Sequence, residues 1–443
     1  MAYPDDTRLG QLVELIHLYG QVQHDYGAQG IEDIVERAEL ALQAVLAELQ
    51  ALPADPALAL NEPNDLETIR RLRPTGPRRF WDRVDAGVYR EKLEGALLGR
   101  FAGCTLGSPV EFWSIERMEA LARENGEPFP PADYWQYVPF PFELRYELSP
   151  RQDYTRARMD GVPVDDDLAY TLLGLLIVED YGPGFTTADV GAAWLRYLPY
   201  ACTAEDVALK NLKAGIPALE AGAVDNPFTE WIGADIRSDP WGYMAPGFPE
   251  RAAEMAYRDA YVSHRRQGIY GEMFFSAAIA AAFHVKDPLE AIAIGLTEIP
   301  AECQLAQHVD WALSEAPRVK TYRQAREAVD ERFARIEGVH TTPNACLTIF
   351  GLAIGGTDLT RVIGETVAMG MDNDCTAATT GSIVGAIVGK AGIPPHWYRG
   401  FNNCIHSYLI DRPQFAISDV IDRFTIQAMR VADYTSKKGA PGG

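Results

Sequence analysis

Apolar residues recur at helical spacing along most of the chain. Leu9, Leu12 and Ile16 repeat every three or four residues, and a second such series runs from Ile34 to Leu49, so two helices are predicted between residues 8 and about 52. From residue 89 onward the same period dominates, and alternating runs of β-branched residues are almost absent. Further predicted helices cover 169–180, 250–264, 272–284, 287–298, 322–336, 360–370 and 375–390. The pattern predicts an all-α protein.

The same pattern divides the chain into three parts. Residues 53–80 are rich in proline and polar side chains and are interpreted as a linker, so 1–80 are predicted to form a helical extension. Residues 81–433 are predicted to form the main domain, and 434–443 a disordered tail. The linker also carries short basic stretches, which we interpret as solvated. These arginines are Arg70, Arg71, Arg73, Arg78 and Arg79.

Composition and charge narrow the classes of partner. The 443 residues carry a formal net charge of −22, which repels nucleic acid, and no apolar run is suited to spanning a membrane. The N-terminus lacks the basic and apolar parts of a secretory signal, so a cytoplasmic protein is expected. The six cysteines are far apart without a C-x-x-C pair, which argues against a zinc ribbon or a disulfide framework.

Two aspartate clusters stand directly before predicted helices. The first is Asp165, Asp166 and Asp167; the second is Asp372, Asn373 and Asp374. One aspartate would cap a helix, but a helix N-terminus stabilises such a charge by only about 0.3–1 kcal/mol. Taken alone, the second cluster is better explained as a cap. Together the two clusters favour one shared all-oxygen site for Mg²⁺ or Mn²⁺ rather than zinc.

Glycine-rich stretches form a third feature. Residues 95–107 and 381–389 repeat glycine within predicted helices, although each interior glycine costs about 1 kcal/mol relative to alanine. We therefore expect helix backbones to approach closely there. The first stretch leads into Glu111, whose carboxylate is a candidate acid, base or metal ligand.

Four motifs, taken in the order in which they occur between residue 89 and about residue 400, resemble those of the ADP-ribosylglycohydrolase family. Residues 95–111 resemble its G-A-L-L-G-x-x-x-G-D-A-L-G-x-P-x-E opening, and Asp165 to Leu172 resembles T-D-D-T-x-M-T-L. Residues 249–264 resemble a segment ending in Thr-His, and 370–389 a glycine-rich motif beginning G-G-D-T-D-T. Each motif alone is weak, but four in the right order identify the chain as a divergent member.

The resemblance implies an orthogonal helical bundle with a central cleft that holds two Mg²⁺ ions. The implied metal ligands are Asp166, Asp167, Asp372 and Asp374, with Asp165 added. The candidate catalytic residues are Glu111 and Asp166. The residues expected to contact substrate are Gly107, Asp235, Arg237, Trp241 and Cys375.

Several residues depart from the family pattern. Cys375 replaces a threonine ligand, and a thiol is a poor partner for Mg²⁺. Asp165 stands where the pattern has threonine or serine, and one interpretation is that its carboxylate compensates for the lost oxygen. Cys104 replaces an aspartate, and within residues 232–241 only Arg237 clearly matches. These changes leave the substrate open.

The predicted reaction is hydrolysis at an anomeric carbon, with Glu111 or Asp166 accepting a proton from water. The expected substrate is an ADP-ribosylated protein side chain or small acceptor, from which ADP-ribose is released. The alternative substrate is a nucleoside, an O-linked furanoside or a glycan. Trp241 or Tyr243 would stack on it, although a core position is favoured for both. A catalytically silent ADP-ribose-binding module and a helical scaffold are alternatives of other classes, and the retained aspartates argue against both. The oligomeric state and the role of residues 1–80 are left open.

Overall fold

Helices form most of the chain, as the hydrophobic period predicts. The computed structural model describes residues 6–81 and 84–438 and places twenty α-helices within them. The first ten are α1 Thr7–Asp25, α2 Ile31–Gln50, α3 Pro56–Asn61, α4 Leu66–Leu72, α5 Ala86–Gly107, α6 Ile115–Asn125, α7 Asp166–Tyr181, α8 Thr187–Tyr197, α9 Thr203–Lys213 and α10 Ala218–Ala221. The remainder are α11 Asp239–Met244, α12 Pro249–Ala260, α13 Gln267–Ala282, α14 Pro288–Gly295, α15 Gln304–Glu315, α16 Tyr322–Arg332, α17 Thr341–Gly355, α18 Leu359–Ala368, α19 Asn373–Val388 and α20 Ile417–Lys438. The all-α prediction is confirmed.

Strands are confined to two short antiparallel hairpins in the described residues. In the first, β1 (Leu144–Arg145) pairs with β2 (Ser149–Pro150), with Arg145 opposite Ser149. In the second, β3 (Cys404–His406) pairs with β4 (Gln414–Ala416). The first hairpin carries Arg145, whose side chain contacts Glu111, Asp165 and Asp374.

The described residues divide into two compact units. The smaller contains the chain up to Leu60 together with Arg332–Ile336, and the larger contains Asn61–Glu331 and the chain from Glu337 onward. The two predicted N-terminal helices are present as α1 and α2, and no residue of either helix is buried. None of the described helices is both long and apolar enough to cross a membrane.

Residues 61–80, interpreted from sequence as part of a solvated linker, belong to the larger unit. Arg78 forms an ion pair with Glu298 at 2.7 Å, and Arg73 pairs with Glu298 at 2.5 Å and with Glu250. The Glu298 side chain is fully buried. Since both arginines meet one buried carboxylate, the segment is fixed to the larger unit, and the solvated interpretation is wrong for Arg73 and Arg78.

The glycine-rich helices α5 and α19 pack antiparallel at the centre of the larger unit. A Cβ on Gly99 would lie 2.1 Å from the carbonyl oxygen of Gly381, and one on Gly103 would lie 2.0 Å from that of Ala377. Such distances leave no room for a side chain, which confirms the expected close approach of the two backbones. At the end of α5, the Cα of Asp374 would be 2.5 Å from a Cβ on Gly107.

Each helix predicted beyond residue 89 coincides with an observed helix, within a few residues at the ends. The structure adds α6, α8, α9, α15 and α17, which the sequence did not single out. It also extends α20 to Lys438, so 434–438 are helical rather than part of a disordered tail; 439–443 lie outside the described residues. The extension follows from the buried apolar residues of α20, among them Phe424 and Val431, which keep the helix packed almost to its end.

Candidate active site

The first aspartate cluster begins helix α7. Asp165 is the N-cap residue, with extended backbone angles, and its carboxylate accepts a hydrogen bond from the Asp167 amide at 3.2 Å. Asp166 and Asp167 occupy the first turn. Beyond them, α7 is buried continuously from Asp167 to Val178. The cluster therefore stands at the buried end of a core helix, where unpaired charge is costly.

The second cluster begins helix α19 after a sharp turn. Gly370 and Met371 adopt positive φ angles of 71° and 59°, which redirect the chain into α19. The Asp374 carboxylate accepts a hydrogen bond from the Cys375 amide at 3.1 Å. Asp372 is only 4% exposed, yet its Oδ1 has no hydrogen-bond partner. A buried, unpartnered carboxylate oxygen is what a cation ligand presents before the cation binds.

The fold brings these clusters together with Glu111. Three groups of side chains place possible ligand atoms within 4.8 Å of one another. The groups are Glu111, Asp372 and Asp374; Asp167, Asp374 and Cys375; and Cys104, Asp165 and Asp167. Since Asp167 and Asp374 each belong to two groups, the carboxylates form one continuous acidic centre. This is the arrangement that a shared metal site requires.

A cleft of about 560 Å³ opens onto this centre. Glu111, Asp166, Asp372, Asp374 and Cys375 line it on the acidic side. The other wall includes the aromatic side chains of Tyr146, Tyr170 and Trp231, and the carboxylate of Glu205. A volume of this order is typical of small-molecule sites.

Two arginines that the sequence did not reveal contact the carboxylates of the acidic centre. Arg145, on β1, contacts Glu111 at 2.9 Å, Asp374 at 3.2 Å and Asp165 at 3.4 Å. Arg100, buried in α5, contacts Asp167 at 3.3 Å and Asp239 at 2.5 Å. Neither arginine stands near these carboxylates in sequence, and no local motif marks them.

Burial sets the protonation of the acidic centre. It raises the pKa of Asp166 to about 6 and that of Asp372 to about 7, with nearby carboxylates adding to both shifts. The pKa of Asp374 lies well above its ordinary value, again because of burial and then of Glu111. A bound cation would reverse these shifts by stabilising the anions.

The chemistry of the donor set fits a hard divalent cation. Carboxylate oxygens dominate each group, and the unpartnered Oδ1 of Asp372 points to a missing positive partner. The thiols of Cys104 and Cys375 are less suitable, because burial raises the pKa of both well above the ordinary value and keeps them neutral.

Of the residues expected to contact substrate, Cys375 lines the cleft. Gly107 instead packs against the backbone of α19. Asp235 is buried away from the cleft lining, and neither of its carboxylate oxygens has a hydrogen-bond partner. Gly107, Asp235, Arg237 and Trp241 are not among the residues that line the cleft, and their contact with substrate stays a prediction.

Arg237 and Trp241 form hydrogen bonds with buried carboxylates, one of which, Glu205, lines the cleft. The Arg237 guanidinium contacts Asp259 at 2.6 Å and Glu205 at 2.8 Å. Trp241 donates from Nε1 to Glu272 at 2.7 Å. Tyr243 is also buried and contacts Asp239 at 3.0 Å, which agrees with the core position favoured for both aromatic residues.

Comparisons with known proteins show which family and which fold this chain is similar to. A sequence model of the ADP-ribosylglycohydrolase family matches residues 85–430. No curated protein gives a significant match. A solved structure described as an ADP-ribosylglycohydrolase-related protein complex is similar, with a TM-score of 0.53 and 19% identity, covering 78% of this chain and 99% of that chain. At this identity the likeness shows the fold alone, and that fold is the helical one described above.

Proposed function

Since the chain belongs to the ADP-ribosylglycohydrolase family and is a glycosyl hydrolase, we propose that it removes ADP-ribose from a modified protein side chain or small acceptor. The proposed reaction depends on Mg²⁺. One observation carries the proposal. Carboxylates from distant parts of the chain line one cleft, namely those of Glu111, Asp166, Asp372 and Asp374. Asp165 and Asp167 belong to the linked groups of possible ligands beside them. A purely structural role would leave this concentration of buried negative charge unexplained.

Mg²⁺ is the cation best matched to the donors, since it prefers oxygen ligands, and Mn²⁺ accepts the same set. The ligands would be Asp165, Asp166, Asp167, Asp372 and Asp374. A divalent cation bound there would polarise the attacking water and orient the ribose hydroxyls.

The side chains around the cleft supply the remaining chemistry. Asp166 faces the cleft, and its Oδ1 accepts a hydrogen bond from the Tyr146 hydroxyl at 2.7 Å, which orients the carboxylate. Asp166 would take a proton from water as the water oxygen bonds to the anomeric carbon and the glycosidic bond breaks. The proton taken up by Asp166 would then pass to the leaving group, which returns the carboxylate to its starting form. Glu111 is the second candidate base, although Arg145 already engages its carboxylate.

The acidic centre also suits the transition state of this reaction. Cleavage at an anomeric carbon develops positive charge on the sugar ring, which nearby carboxylates stabilise. Tyr170 and Trp231 provide apolar surface in the same cleft, where a ribose or a base would pack.

A hydrolysis screen tests the proposal. The substrates would be ADP-ribosyl-arginine, ADP-ribosyl-serine, nucleosides and aryl furanosides, each with Mg²⁺ and with a chelator. We expect Mg²⁺-dependent release of ADP-ribose. Asp166→Asn should lower kcat by roughly 10²–10⁴-fold, the range for loss of a general base. Asp422→Asn, a change at an exposed carboxylate of α20, is the matched control and should leave the rate unchanged.

The outcomes separate the alternatives. Activity that survives chelation would contradict metal dependence. Release only from nucleosides or furanosides would replace the substrate class while keeping the chemistry. Binding of ADP-ribose with no turnover of any substrate would favour the non-catalytic module.

A further inference from the structure

Arg145 places one guanidinium group among three carboxylates from three segments of the chain. Its Nη1 donates to Glu111 at 2.9 Å, and its Nη2 donates to Asp374 at 3.2 Å and to Asp165 at 3.4 Å. The arginine thus bridges the two aspartate clusters, which is the position expected of a metal ion.

The side chain is held firmly in this place. Nη1 also donates to the Ser108 carbonyl at 2.7 Å, and the guanidinium lies 5.4 Å from the ring centre of Tyr146 and 5.7 Å from that of Tyr154. The Arg145 side chain is 16% exposed. Its backbone is paired with Ser149 in the β1–β2 hairpin. Both terminal nitrogens of the guanidinium have hydrogen-bond partners, which favours a fixed component of the centre over a side chain that swings in and out.

Arg145 occupies oxygens that a second cation would need. Of the group Glu111, Asp372 and Asp374, it engages two carboxylates, and it also engages Asp165 of a neighbouring group. A guanidinium stays charged at every pH a protein tolerates. Paired metal ions in two-metal sites lie about 3.5–4 Å apart, so a permanent charge bonded to the same carboxylates would repel the second ion.

We propose that Arg145 takes the place of one of the two divalent cations, so that the centre binds a single divalent ion next to Asp372. This inference rests on the proposed function. The unpartnered Oδ1 of Asp372 marks the part of the centre that still lacks a positive partner. Two departures from the family pattern agree with it. Asp165 adds a negative charge that Arg145 offsets, and Cys375 removes an oxygen that a second ion would use.

Mn²⁺ binding to the full chain tests this inference without an activity assay. Calorimetry gives the number of ions per chain, and electron paramagnetic resonance distinguishes an isolated Mn²⁺ from an exchange-coupled pair. The wild type is expected to bind one ion with an isolated-ion spectrum. Arg145→Gln should bind two and show coupling, whereas Arg145→Lys, which keeps the charge, should bind one.

Arg151→Gln is the matched control. Arg151 lies close by in sequence, and its guanidinium contacts Glu143 and the Pro109 carbonyl rather than the acidic centre. This variant should bind one ion.

Two ions in the wild type, or only one in a folded Arg145→Gln variant, would overturn the inference and leave the proposed function intact. A wild type that binds no ion would contradict the metal dependence of the proposed function itself. If Arg145→Gln fails to fold, the wild-type stoichiometry still decides.

Discussion

The buried carboxylate of Glu205 is only partly stabilised by its ion pair with Arg237. Glu205 lies in the cleft wall, is 2% exposed and contacts Arg237 at 2.8 Å. Burial nevertheless raises the pKa of Glu205 to about 7, against an ordinary value of 4.5. Between these values the folded chain holds a proton that the unfolded chain has lost. Stability from this residue is therefore complete below pH 4.5 and is lost as the pH rises from there through 7.

Glu205→Gln should remove this dependence, because glutamine stays neutral throughout. The free energy of unfolding of the variant minus that of the wild type should grow by up to about 3 kcal/mol from pH 4.5 to pH 8. Urea denaturation at several pH values, with a chelator present, measures the difference. A difference that does not change with pH would show that Glu205 is already ionised at pH 4.5 in the folded chain.

The contact between α5 and α19 positions the acidic centre. Asp374 begins α19 where Gly107 ends α5, and further along the same contact Gly99 lies against Gly381. Asp374 moves with α19, so a displacement of that helix against α5 would change the geometry of the acidic centre. Helix packing and site geometry are thus set by the same residues.

Gly99→Ala should destabilise the chain, although alanine is the better helix former by about 1 kcal/mol. The added Cβ would lie 2.1 Å from the Gly381 oxygen, and such overpacking costs about 1–3 kcal/mol or more. Gly87→Ala, in the first turn of the same helix, is the control, because its Cβ meets only the Asp85 carboxylate at 3.4 Å. Thermal and urea unfolding give both values. An unchanged or more stable Gly99→Ala variant would mean that the helices can separate at little cost.

Across the whole molecule, long-range ion pairs connect segments that carry no sequence signal of contact. Glu298 holds Arg73 and Arg78 from the segment once interpreted as a linker. The pKa of Glu298 is raised by burial, which indicates that the two arginines only partly offset the loss of water around the carboxylate.

Glu298→Ala should therefore lower the free energy of unfolding by about 3 kcal/mol, since it leaves two partly buried arginines without this partner. Glu250→Ala removes the other, more exposed partner of Arg73 and should cost about 1 kcal/mol or less. Urea denaturation compares the two. Equal effects would mean that the segment is held by contacts other than the Glu298 pairs.

Features that depend on neighbouring residues could be predicted from the amino-acid sequence. The hydrophobic period specified the helices, because one turn brings residues three and four apart to the same face. The aspartate clusters appeared at helix starts, and repeated glycines within α5 and α19 indicated a close helix contact that the structure confirms. The ordered motifs also identified the family, which the comparison over residues 85–430 shows.

Which charged side chains contact each other depends on how distant parts of the chain pack together. Arg145 contacts Asp374 across 229 positions of sequence, and Arg73 contacts Glu298 across 225. Arg237 and Trp241, expected at the substrate, form hydrogen bonds with buried carboxylates. A local pattern reports backbone conformation and the apolar face of a helix, whereas an ion pair depends on how distant helices pack. For that reason the aspartates of the candidate metal site could be read from sequence, and the arginine among them could not.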